Sequence, residues 1–395
     1  MNTTLNNLIT QKSWTAEGQA LRLQYLENQT NKKFPFLAQQ QTYTDIPALK
    51  GNIEHYIGMT QVPTGIIGPL KIFSPDAEGE FYVPLATTEG ALVASYHRGT
   101  VACYQAGGIQ AAVISEQVQR CPIFHFESLT KGLTFMQWLY EQHKTHVLQQ
   151  LISQQSRFAQ LKDLRFLVEG NTVITIFEYT TGDAAGQNMV TVCTDFVCQY
   201  ILQHSPVEIQ EWFIDGNFSG DKKVRGAAFA IPRGKYVTAE ITLPRQLVID
   251  FLRTTPEKMA KFWQDSAMGA VKMGSTGFNA HFPNGLAAIF IACGQDAACV
   301  AEACIGISRA ELTDSGDLYG SVTLPNLIIG TVGGGTHLPT QRECLEMMTC
   351  YGVGNARKFA VLCAATLLCG EFSIAAAMSG GYFSKAHKLY GRKRK

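Results

Sequence analysis

The sequence is poor in charge. Lys, Arg, Asp and Glu make up 16% of its 395 residues, and 33 basic against 32 acidic side chains leave a formal net charge of +1. No bulk field favours nucleic acid or an anionic membrane, so neither is expected as a partner. The eleven cysteines contain no C-x-x-C pair and lie mostly in apolar runs. That spacing argues against a metal or disulfide framework and predicts reduced core thiols of a cytoplasmic protein. The opening MNTTLNNLITQKSW has neither a basic n-region nor an apolar h-region, so no export is expected. Crossing a bilayer takes roughly twenty uninterrupted apolar residues. The nearest run, Phe359 to Met378, contains Gly370 and Glu371 and reads as a buried core helix. No G-x-G-x-x-G with a downstream acid occurs, which argues against a Rossmann domain, and there is no internal repeat.

Apolar mass is abundant, at 46% of residues, enough for a large core. The polar first fifty residues, with helical spacing around Leu21, Leu23 and Tyr25, predict a small helical cap over 1–50. The core begins near Gly51, where QVPTGIIGPLKIF reads as strand and turn, and a helix is expected from Thr88 onward. Between Pro122 and Ile214 the texture changes. One helical pattern runs through ESLTKGLTFMQWLYEQHKTHVLQQLISQQ, β-branched alternation through FLVEGNTVITIFEYTTG, and a further helix through GQNMVTVCTDFVCQYILQ. Strand, helix, hairpin, helix, strand describes an inserted α+β unit over 122–214, within a larger domain formed by 51–121 and 215–395.

Several polar words interrupt the apolar sequence. PLATTEGALVAS puts Glu89 where an extended segment gives way to a helix: a favourable first-turn carboxylate, or a proton donor. IDGNFSGDKKVRG crowds Asp215, Asp221, Lys222, Lys223 and Arg225 into a loop that is either a solvated turn or a cradle for a developing oxyanion. FIACGQDAACVAEA sets Asp296 among small and apolar residues, where it requires a cationic or hydrogen-bonding partner. TTGDAAGQNMV and IIGTVGGGTHLPTQ could aim backbone N–H groups at a phosphate, or be ordinary turns. His387, in SKAHKLYGR, titrates near neutrality, although a lone terminal histidine usually does nothing more than cap or solvate.

Taken in this order and at these spacings, from about Ile53 to Arg392, the words resemble the catalytic domain of the 3-hydroxy-3-methylglutaryl-CoA reductases, closer to the NADPH-dependent, eukaryotic-type group. The resemblance implies an α+β fold: a large domain around a long central helix, with an inserted small ferredoxin-like domain for the cofactor. It implies four-electron reduction of the acyl-CoA to mevalonate with two NADPH and no metal, at sites formed between subunits of a homodimer or a dimer of dimers. By position, Glu89 would be the general acid, Lys222 the oxyanion-stabilising lysine, Asp296 the partner linking them, and His387 the proton donor to the leaving thiolate. Arg120, Asp215, Asn217, Asp221, Lys223 and Asn279 fall where the family holds the hydroxymethylglutaryl end. Ser95, His97 and Arg98 fall where it meets coenzyme A. Asp183, Gly186, Asn188, Gly333, Gly334 and Gly335 match its cofactor loops, and Ser156 and Arg157 match a pair that meets the 2′-phosphate of NADPH.

The chain departs from the family in places. Its ENxIG word reads Glu54-His55-Tyr56-Ile57-Gly58, DAMGMNM carries Ala185 and Gln187, and Ala386 replaces the serine before the histidine. The lysine that many relatives use for the substrate carboxylate has no counterpart in FWQDSAMGAVKMG. Two other readings are an NAD-dependent enzyme oxidising mevalonate, which Ser156 and Arg157 oppose, and an inactive CoA-binding scaffold, which the intact Glu89, Lys222, Asp296 and His387 oppose.

Overall fold

The computed structural model describes residues 13–384. Thr15 caps helix α1 (Ala16–Thr30) by accepting from Gly18 N at 3.1 Å. Leu26 of α1 and Phe34 just beyond it pack on Tyr82 and Met347. Glu343 accepts from the N–H groups of Phe36 and Leu37 at 2.9 and 2.8 Å. One apolar strip and one carboxylate therefore fasten this polar stretch to the core.

The chain then builds a hairpin from β1 (Thr64–Phe73) and β2 (Glu78–Ala86), a helix α2 (Leu92–Gln105), and a strand β3 (Ile109–Arg120) that lies parallel to β1. An inserted run follows: β4 (Ile123–His125), α3 (Leu129–Lys144), α4 (Val147–Gln155), β5 (Gln160–Glu169), β6 (Thr172–Thr180), α5 (Gln187–His204) and β7 (Glu211–Phe213). Its strands stand in the order β7-β4-β6-β5 with every neighbour antiparallel, the split β-α-β-β-α-β arrangement of ferredoxin-like sheets. The helical pattern before β5 is two helices rather than one. His146 takes a left-handed φ of 62° there, which ends the right-handed ladder and turns α4 back over β5.

The chain returns through β8 (Gly234–Leu243), α6 (Arg245–Asp250), α7 (Pro256–Met273), α8 (Phe282–Ala292), α9 (Val300–Ala303), β9 (Ile307–Leu312), β10 (Leu318–Leu327), α10 (Pro339–Met347) and α11 (Ala356–Ser379). Strands β2-β1-β3-β8-β10-β9 form the second sheet. The far end of β3 also pairs with β6 over Val118–Arg120, so the two sheets are continuous through one strand. Arg120 sits at that seam.

Helix α11 is the expected long central helix. Its most apolar window is 94% buried, against β8, β10, α2, α7 and α8. Gly370 and Glu371 do not break it. Small residues allow close neighbours: a Cβ on Gly99 of α2 would lie 1.8 Å from Cys369 O, so only glycine permits this crossing. Glu371 is fully buried and fully used. It accepts from Ala280 N, His281 N, His281 Nδ1 and Ser308 Oγ at 2.8, 2.9, 2.9 and 2.7 Å. A charge that looks out of place in an apolar helix thus fixes the start of α8 and the strand β9. All eleven cysteines are free thiols and ten are buried.

Candidate active site

The words that stand apart in the sequence meet in space. Lys222, with a left-handed φ of 57°, points its ammonium at Asp296 Oδ2 over 2.7 Å. Asp296 caps a short 3-10 turn (Ala297–Cys299), accepting from Ala298 N at 3.0 Å. The hydrogen bond to Asp296 is the main cause that raises the Lys222 pKa above the ordinary lysine value. Asp296 has the cationic partner its surroundings required, but it is not buried: both side chains are 41% exposed.

Beneath this pair lies an ionic lattice that runs from half-buried Asp215 and Asp221 to buried Arg233 and Glu302. Arg120 Nη1 meets Asp215 Oδ2 at 2.7 Å, and Asp215 also accepts from Ser219 Oγ and Asn217 N at 2.7 Å each. Arg120 Nη2 stands 3.7 Å from Asp221 Oδ2, and Arg233 Nη2 stands 3.1 Å from Asp221 Oδ1. Arg233, wholly buried, places Nη1 2.7 Å from both oxygens of the equally buried Glu302. Glu302 in turn accepts from the backbone N–H of Lys222 at 3.0 Å. The strained lysine is therefore set from below. Lys223 is exposed, with Nζ on Asp221 O at 3.0 Å.

Arg233 and Glu302 are not evident from the sequence words, and Gln187 shows there only as a departure from the family's DAMGMNM word. Glu302 carries the same signal as Asp296, an acid within an apolar run, but it gains meaning only with Arg233 opposite it across 69 residues of sequence.

The two glycine-bearing loops adjoin. Ala184 bridges to Val332, Thr331 N donates to Asp183 O at 2.8 Å, and Gly330 N donates to Gln295 Oε1 at 2.8 Å, beside Asp296. Asp183 accepts from Gly354 N and Ala356 N at 2.8 and 3.0 Å, which caps the central helix. Gly333 and Gly334 have φ of 73° and 55°, and no atom stands within 4 Å of where a Cβ would project from either. Their backbone is open to a ligand. Gly186 precedes α5 with φ 85°, and Asn188 is exposed in its first turn.

Other expected residues lie elsewhere. Glu89 is exposed and precedes the helix instead of starting it, because α2 begins at Leu92 after a left-handed Ala91. Its Oε2 accepts from Asn284 Nδ2 at 2.7 Å, at the first turn of α8, whereas Asp296 follows the last. No ion pair among the described residues joins Glu89 to Lys222. Asn279 spends its side chain on Cys304 O and Phe282 N at 3.1 and 3.0 Å. Ser95 Oγ meets Ser373 Oγ at 3.0 Å, and Arg98 reaches Ser373 Oγ and Tyr382 OH at 2.9 and 3.1 Å. Ser156 Oγ accepts from Phe158 N and Ala159 N at 3.1 and 3.2 Å, beside exposed Arg157. His387 and Ala386 lie outside the described residues.

His97 is buried, and burial pushes its imidazole down to about 4. An unfolded histidine titrates near about 6.5, so acid protonates the unfolded chain first. The stabilisation is complete above about pH 6.5 and is lost as pH falls toward 4, amounting to about 2 kcal/mol by pH 5. Urea unfolding at pH 7 and pH 5 should show that loss in the natural chain and less of it in His97→Gln. Equal losses in both would place the acid sensitivity elsewhere.

Comparison with known proteins gives the family and the fold. The family model described as hydroxymethylglutaryl-coenzyme A reductase matches residues 19–392. The 3-hydroxy-3-methylglutaryl-coenzyme A reductase of Pyrococcus abyssi is 42% identical over 347 residues, covering 86% of this chain and 85% of that protein. That of Methanocaldococcus jannaschii is 38% identical over 377 residues, covering 94% and 92%. Among solved structures, the class II 3-hydroxy-3-methylglutaryl-CoA reductase from Streptococcus pneumoniae bound to NADPH in open conformations superposes with a TM-score of 0.71. It covers 90% of this chain and 96% of that one at 19% identity, a likeness of fold.

Proposed function

The chain belongs to the hydroxymethylglutaryl-coenzyme A reductase family of oxidoreductases, and from that premise we propose that it reduces 3-hydroxy-3-methylglutaryl-CoA to mevalonate and CoA with two NADPH. The Lys222–Asp296 pair at 2.7 Å, with the two glycine-bearing loops beside it, is the observation that supports this best. The open backbone at Gly333 and Gly334 fits the close approach of a dinucleotide pyrophosphate, and the exposed guanidinium of Arg157, lying over the Phe158 ring, suits a 2′-phosphate. NADPH bound there supplies hydride.

The protein's own part is electrostatic and protic. The ammonium of Lys222 stabilises the oxyanion that forms at the thioester carbonyl. His387 protonates the departing thiolate, and Glu89 donates to the oxygen of bound mevaldehyde in the second reduction. Arg120, Asp215 and Asp221 form the floor for the acyl end, and coenzyme A is assigned to the edge where Arg98 meets Tyr382. The residues 122–214 form the cofactor unit.

A second copy completes the site in this reading. Within one chain Glu89 and Asp296 stand at opposite ends of the eleven-residue α8, a helix about 16 Å long. The Lys222–Asp296 pair is open, and the exposed Ile57, Met268, Val271 and Met273 offer apolar surface to a partner. The half-reactions provide the test. Only thioester reduction releases a thiolate, so His387→Gln should cripple reduction of the acyl-CoA and spare added mevaldehyde. Glu89→Gln should lose mevaldehyde reduction by about a hundred- to ten-thousandfold. Equal loss of mevaldehyde reduction in both variants would remove the histidine from the thiolate step.

A further inference from the structure

Gln187 opens α5 directly after the left-handed Gly186 that ends the TTGDAAG loop. Its side-chain amide reaches two other segments at once, donating to Asp221 Oδ1 at 2.7 Å and to Cys299 Sγ at 3.2 Å. Asp221 directly precedes Lys222. Cys299 closes the turn that Asp296 caps. The amide is thus fastened to both backbone segments that carry the Lys222–Asp296 pair. Its main chain is fixed as well, for Gln187 O accepts from Thr191 Oγ1 at 2.8 Å and Arg120 Nη2 at 3.4 Å.

The loop needs such anchors. Lys222 has a φ of 57°, a backbone conformation that residues with a Cβ seldom adopt, so surrounding contacts must maintain it. Glu302 grips its N–H from one side, and Gln187 grips the preceding side chain from the other. A methionine here, as in the DAMGMNM word, has the length but no donor to offer Asp221.

We propose that Gln187 is a positioning residue that couples the cofactor loop to the reacting lysine. By bridging Asp221 and Cys299 it sets the Lys222 ammonium against Asp296, and movement of the Gly186–Gln187 turn is passed to that pair. This rests on the reductase reading. The groups that face Lys222 are Asp296, Asp221 and Cys299, with Glu302 at its backbone.

The test compares the full natural chain with Gln187→Met and Gln187→Glu, using initial rates with 3-hydroxy-3-methylglutaryl-CoA and NADPH between about pH 6 and pH 11. Gln187→Met should lower kcat at least about tenfold with both KM values within about threefold of the natural chain. Its alkaline limb should also move to lower pH, because Lys222 loses the close carboxylate that keeps it protonated. Gln187→Glu should be poorer still at pH 8 and recover as pH falls, because a proton shared between the two facing carboxylates restores a donor. A residue that merely packs α5 would give neither change in pH profile. Natural kcat and profile in Gln187→Met, or natural pH dependence in Gln187→Glu, would overturn the inference. A natural chain that oxidises no NADPH would instead overturn the reductase reading, and the inference with it.

Discussion

Replacing Lys222 by methionine is expected to lower kcat for thioester reduction by about a hundred- to a thousandfold, the usual cost of removing one preorganised oxyanion donor. Methionine keeps most of the aliphatic stem, so the change removes charge and hydrogen-bonding capacity more than volume. The ammonium is held by Asp296 at 2.7 Å, and its left-handed backbone is fixed by Glu302, so little reorganisation is needed when charge develops nearby. The hydrogen bond to Asp296 keeps Lys222 protonated to higher pH than an ordinary lysine. Asp296→Asn should therefore pull the alkaline limb of kcat to lower pH while leaving activity at neutral pH less affected than Lys222→Met does. Steady-state rates across pH check both. A Lys222→Met enzyme within about threefold of the natural rate would mean that another group meets the oxyanion.

Glu302→Gln is expected to destabilise the fold by about 3 kcal/mol, the low end of the cost of breaking a buried pair, because the buried guanidinium of Arg233 keeps only a shared counter-charge. Both side chains are wholly buried, and both carboxylate oxygens lie 2.7 Å from Arg233 Nη1. Asp221, at 3.1 Å, remains to Arg233 and is itself shared with Arg120 and Gln187. Activity should fall as well, since the N–H of Lys222 loses a charged acceptor. The double replacement Arg233→Met with Glu302→Leu separates these effects. Removing both charges should recover much of the stability but not the rate, because the lysine loop stays unanchored. Urea midpoints and kcat, measured on the single and double variants, decide this. A single variant less than about 1 kcal/mol below the natural chain would show that the pair is not the keystone of the lysine loop.

Much of the site is legible in the sequence because its chemistry is written in short polar words inside apolar text. Asp296 announces a partner, and the structure supplies Lys222. The long apolar stretch before Met378 announces burial, and α11 is buried. Geometry that depends on distant pairs is not written there. Glu302 looks like a helix acid until Arg233 stands opposite, and Glu371 looks like an interruption until four donors converge on it. Local backbone also escapes periodicity. Helical spacing runs on both sides of His146, yet a single left-handed residue divides the stretch into two helices. Glu89 shows the same limit: its word reads as a helix start, while the chain delays the helix to Leu92 and hands the carboxylate to Asn284.

The most direct test of the account is the stoichiometry of the purified chain acting on 3-hydroxy-3-methylglutaryl-CoA, with NADPH loss followed by absorbance and mevalonate and free CoA quantified in the same sample. Two NADPH consumed for each mevalonate and each CoA, with NADPH preferred over NADH and the preference reduced in Arg157→Ala, is the predicted result. No NADPH oxidation with this thioester, or preferential oxidation of mevalonate with NAD and no preference for the phosphorylated cofactor, would contradict it.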